Sequence, residues 1–157
     1  MTVRLIRDAT LEDLTREMRL MLQEGIASPA VRRLAETAVA GKQDKISAVF
    51  DFIRGTFPYT PDPLNLELFV SPNRMAEDYF AGRIRGEDCD GLALLSGATL
   101  GAIGYETRVV LLDSDLDGEL DHAIAQVLTP ELGFINVDTS SSFPLGWYIP
   151  SGVTVYV

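Results

Sequence analysis

Apolar residues recur at helical spacing through the first half of the chain and give way to short β-branched runs in the second. Residues 10–24, TLEDLTREMRLMLQE, place Leu11, Leu14, Met18, Met21 and Leu22 on one face, with Thr10 at the cap and Asp13 three residues on. This predicts a surface helix with one buried stripe. In SPAVRRLAETAVAG, Ser28 caps, Pro29 occupies the first helical position and Gly41 stops a second helix. DKISAVFDFIRGTF puts Ile46, Val49, Phe50 and Ile53 on one stripe behind an Asp44 cap, and Gly55, Pro58, Pro61 and Pro63 then break the chain into an extended loop. SPNRMAEDYFAG reads as a short fourth helix. From Glu106 the period changes: ETRVVLL, HAIAQVL, GFINVD and VTVYV read as strands bounded by turn residues.

One segment fits neither amphipathic pattern. Gly91 to Ile103 carries no charge and is apolar or small on every side, which predicts a helix buried all round, with Asp88 as its N-cap. No repeat or low-complexity linker interrupts the pattern, so the expectation is one domain over residues 1–157.

Composition narrows the function classes. The chain has 157 residues, 46% hydrophobic and 23% charged, enough for a substantial core. Twenty-three acidic against thirteen basic residues give a net charge of −10, which disfavours nucleic acid and anionic lipid as partners. A peptide or protein substrate, a basic one in particular, suits that charge better. The opening residues show no leader pattern and no stretch is long and apolar enough to span a membrane, so the expectation is a cytoplasmic protein. A lone cysteine, Cys89, forms no internal disulfide and agrees with a reducing compartment.

Cys89 falls in the first turn of the buried helix. Free amides and the helix dipole favour a thiolate there, while Glu87, Asp88 and Asp90 oppose it, and a cationic histidine would settle the contest. The chain holds one histidine, His122, at the head of the DHAIAQVL strand. Singly, a lone cysteine and a lone histidine read as packed residues. Together with a carboxylate they read as more. HAIAQVLTPELGFINVD forms a hairpin turning near Thr129 to Leu132, and an even register sets Asp138 opposite His122 on the same face. Cys89 is then the nucleophile, His122 the base and Asp138 the acid that holds the imidazole, with the Cys89 backbone amide available to an oxyanion.

The run GEDCDGLALLSGATLGAIGYETRVVLL, followed by DHAIAQVL and GFINVDTS, resembles the core of the transglutaminase-like superfamily: a Gly-Asp-Cys-Asp type motif, a strand histidine and an aspartate on the next strand. The likeness covers roughly residues 40 to 140, and the stretch before the cysteine is similar to that of small bacterial and prophage members. It implies a papain-like α+β fold with helices packed on a small antiparallel sheet, the triad Cys89, His122 and Asp138, and acyl transfer through a thioester, as in a peptidase or amidase rather than a cross-linking enzyme. It implies no cofactor. A two-lobed papain-type protease needs a longer chain and a wider Cys–His spacing. Two departures stand out: Glu87 is inserted before Asp88, and Gly91 stands where a second acid often follows the cysteine. Members that keep the fold and lose the reaction make an inactive binding or assembly module the alternative.

Three further features carry weaker expectations. DSDLDGELD, Asp113 to Asp121, matches the opening of a calcium loop but has Ile124 at the twelfth position, so no helix-loop-helix hand is expected and a solvated acidic turn is the simpler reading. Trp147 and Tyr148 are candidates to line a substrate groove. Tyr59 or Asn65 is a candidate to complete the oxyanion hole.

Overall fold

The computed structural model describes residues 3–6, 10–63 and 67–157. Its elements follow in the order β1 (Val3–Ile6), α1 (Leu11–Ile26), α2 (Pro29–Val39), α3 (Lys45–Thr56), β2 (Glu67–Val70), α4 (Pro72–Phe80), α5 (Cys89–Ala102), β3 (Thr107–Leu112), β4 (His122–Thr129), β5 (Gly133–Val137) and β6 (Thr154–Tyr156). The helix starts obey their caps. Thr10 and Asp13 close a reciprocal capping box, and Ser28, Asp44, Ser71 and Asp88 each accept a backbone N–H three residues on.

Every residue of α5 from Gly91 to Leu100 is buried. The helix lies between α1, α2, α3 and α4 and the strands β3 and β4. Close approach depends on missing side chains: a Cβ on Gly25 of α1 would stand 2.7 Å from the Ala98 Cβ, and one on Gly101 would stand 2.6 Å from Ile26. Its two interior hydroxyls are satisfied locally, Ser96 donating to the Leu92 carbonyl and Thr99 to that of Leu95.

The larger sheet is antiparallel in the order β5-β4-β3-β6. Ala123, Ala125, Val127, Val109 and Val137 join the main core with α5, whereas Val110, Leu112, Ile124 and Ile149 form a small cluster on the opposite face. A second, two-stranded sheet pairs β1 with β2. Neither of those strands is expected from the pattern: four residues are too few to establish alternation, and β2 follows a Pro-broken loop.

The predicted register needs correction. Thr129 pairs with Gly133, so the hairpin turns over residues 130–132. Continuing that register sets Asp138 across from Ile124, two residues from His122, which leaves His122 and Asp138 diagonal rather than opposite. The slip of two preserves the face, and diagonal neighbours remain within reach of a long side chain.

Candidate active site

The Asp88 cap places Cys89, half-buried, at the start of the otherwise buried α5. The strand His122 begins runs antiparallel to β3 and pairs His122 with Leu112. Cys89 and His122 border one cavity of about 300 Å³, walled by Leu11, Leu14 and Met18 of α1, by Tyr59, Pro61 and Phe69, and by Leu111, Leu120 and Ala123.

The imidazole is held from behind. His122 Nε2 lies 2.9 Å from Asp138 Oδ2. Asp138 is 3% exposed, and its carboxylate also accepts from the Ser140 amide and hydroxyl and from the Ser141 hydroxyl at 2.8–3.2 Å. Burial alone would raise the Asp138 pKa, but His122 and the two serines outweigh it and hold it below the usual carboxylate range. With Nε2 engaged, Nδ1 is the nitrogen left to exchange a proton with a thiol.

Two anchors fix Asp138 to the helices. Thr139, the next residue, shares a buried 2.9 Å hydroxyl contact with Ser96 of α5. Arg54, in the last turn of α3, donates to the backbone carbonyls of both Asp138 and Phe143, so it closes the loop that supplies the serines. The sequence reading missed both serines, whose one signal is their place just after Asp138, and nothing in the sequence singles out Arg54.

The thiol sits among acids. The Cys89 sulfur donates to Asp90 Oδ1 at 3.6 Å. Burial pushes its pKa well up and Asp90 and Asp88 add repulsion, while the Ala123 backbone N–H works the other way. Burial, which the sequence pattern does not weigh, is thus the larger part of what opposes a thiolate here, with the acids second. Tyr59, more than half exposed, borders the same cavity, and its pKa is raised by desolvation and then by negative charge on Cys89, Asp88 and Asp90. Asn65 lies outside the described residues.

The two sequence departures are spatially one. A Cβ on Gly91 would fall 2.2 Å from Glu87 Oε2, so the inserted Glu87 fills the space that any side chain at position 91 would need. Glu87 is 5% exposed, and its pKa is pushed up to about 8 by burial and by repulsion from Asp62 and Asp90. Burial and the neighbouring Asp90 also raise that of Asp88.

The acidic loop between β3 and β4 is a turn, but not a uniformly solvated one. Asp113 is 1% exposed and accepts from the backbone of Asp117 and Gly118, while Asp121 accepts from Ser114. Among the described residues, Asp113, Asp115 and Asp117 bring oxygen atoms close enough together for a metal ion, yet Ile124, the twelfth position, is buried on the far face of the sheet. Trp147 and Tyr148 do not border the Cys89 cavity: Trp147 stacks on Phe143, and Tyr148 lines a separate cavity with Tyr156 and Ile149. Among the described residues no helix is long and apolar enough to cross a membrane.

No family model matches the chain, and no curated protein does. Solved structures do. A candidate cysteine protease from Cytophaga hutchinsonii aligns over 98% of the chain and 54% of its own length, at 18% identity and a TM-score of 0.57. A candidate protease from Parabacteroides distasonis aligns over 85% of the chain and 26% of its own length, at 16% identity and a TM-score of 0.55. EGTA-treated LapG from Legionella pneumophila aligns over 82% of the chain at 22% identity, with a TM-score of 0.48. The chain thus spans about half and about a quarter of the first two structures. Helices packed on a small antiparallel sheet are the arrangement that the chain shares with the first two structures, a papain-like, transglutaminase-like fold.

Proposed function

We propose that the chain is a cysteine-dependent hydrolase acting on peptide or amide bonds. The observation that carries the reading is a buried Asp138 holding Nε2 of a histidine that borders the same cavity as the helix-start thiol. In the reaction, the Cys89 sulfur adds to the acyl carbon as its proton passes to His122 Nδ1. The Cys89 backbone amide and the Tyr59 hydroxyl are the donors available to the oxyanion. The carbon–nitrogen bond then breaks, and the amine leaves with the proton held by His122. Water, deprotonated by the same imidazole, attacks the thioester and releases a free acid, and the proton returns to the sulfur. Asp138 steadies the imidazolium in both halves.

Burial of the thiol beside Asp90 and Asp88, which disfavours a thiolate, favours an inactive binding module instead. Peptide-library turnover read by mass spectrometry separates the two. The expected result is free-acid products that vanish in Cys89→Ala. Amine adducts in excess of free acid would reassign the reaction to cross-linking, and no products at all would leave the binding module as the reading.

A further inference from the structure

We infer that the cavity beside Cys89 selects substrates with a lysine or arginine side chain next to the bond that is cleaved, an assignment that rests on the thiol-hydrolase reading above. Four carboxylates, Asp62, Asp88, Asp90 and Asp121, border the cavity, and no lysine or arginine does so among the described residues. Between them the wall is apolar, with Leu14 and Met18 contributed by α1. A long aliphatic stem ending in a cation fits both parts: the stem covers apolar wall while the head meets the carboxylates. A neutral apolar side chain would use only the wall, and an acidic one would add a further negative charge to the cluster.

A second observation lies just behind the lining. Glu87 is 95% buried, its Oε2 has no hydrogen-bond partner among the described residues, and the like charges of Asp62 and Asp90 act on its carboxyl. Buried acceptors are nearly always paired, so an orphan one in a group of acids marks a place where a donor is missing. Arg85, the cation that acts on Glu87, is committed to Asp78 through two hydrogen bonds. Arg85 therefore leaves the cluster short of positive charge. A guanidinium or ammonium entering the cavity supplies that charge beside Asp62 and Asp90, which line it. The raised pKa of Glu87 agrees with a cluster short of cations, and a bound cation would lower it with release of a proton.

The test uses the full chain and two acyloxymethyl ketone probes that differ only in their side chain, lysine against the uncharged norleucine. Alkylation of Cys89, with loss of the probe's carboxylate, is followed by intact mass in the presence of EDTA. The lysine probe is expected to react faster by about tenfold or more, within the range by which charge-lined clefts enrich opposite charge, and the advantage should shrink as salt rises. Asp62→Asn is expected to reduce the ratio, and Asp121→Asn gives an independent reading where Asp62→Asn fails to fold. Equal rates for the two probes would overturn the selectivity while leaving the nucleophile intact. A lysine advantage seen only with added divalent cation would assign the cluster to a metal and overturn it as well. Failure of both probes to label Cys89 would overturn the hydrolase reading, and this inference with it.

Discussion

Asp138 is surrounded by donors, yet only one of them is an imidazole. Replacing it by asparagine leaves a side chain of the same shape for the serines but presents an amide to Nε2 and favours the wrong tautomer. Asp138→Asn is expected to keep the circular dichroism of the parent and lower kcat by about a thousandfold or more; unchanged turnover would remove Asp138 from the mechanism. Glu87 makes an opposite kind of statement about pH. Its folded-state pKa, about 8, lies above the ordinary 4.5, so the folded chain holds its proton longer than the unfolded one. Its contribution to stability is therefore full below about pH 4.5 and is lost as pH rises through about 8. The thermal midpoint should fall across that window, and Glu87→Gln should flatten the fall; a parallel profile in the variant would show that other groups set it. The residue identities of the candidate triad were legible because a nucleophile, a base and an acid fell at the ends of recognisable elements. The upward push on the thiol's pKa was not, since it comes first from burial and then from Asp90, Asp88 and the Ala123 amide meeting in space.

At the scale of elements, helices were the easier part because each begins on a side-chain oxygen and ends near a breaker, signals confined to a few neighbouring residues. Pairing of β1 with β2 joins residues more than sixty positions apart in sequence, and a four-residue run holds no trace of such a partner. The β4–β5 register shows the same limit: the parity came from an odd number of loop residues, but the offset of two depended on which residues close the turn. Arg54 illustrates how elements then cooperate. It reaches from α3 to both ends of the segment Asp138 to Phe143, with its guanidinium 4.2 Å from the Phe50 ring centroid. Arg54→Met keeps an unbranched stem and loses the clamp. The expected outcome is a drop in kcat of about ten- to a hundredfold with little change in KM, because a small misplacement of the Asp138–His122 pair is costly. Lysine at this position should recover part of the loss. A variant that only melts earlier, with full kcat in its folded fraction, would confine Arg54 to structure.

Across the whole molecule, the carboxylates around Cys89 are the local form of a net charge of −10. Such a chain repels itself, so raising sodium chloride from about 20 to about 200 mM should raise the melting temperature, as screening predicts. A midpoint unmoved by salt would mean that the acids are already offset in pairs, as Asp78 is by Arg74, Arg83 and Arg85. The architecture also ties the thiol to the interior. Cys89 is the first residue of the helix that both the other helices and the sheet enclose. Amide protons in the middle of α5 therefore have no local route to solvent, and in native-state hydrogen exchange they should be among the slowest of the described residues, leaving only when the whole chain opens. Breathing motions that loosen surface loops would leave the sulfur's backbone where it is, so its position should persist under mild denaturant until the cooperative transition itself.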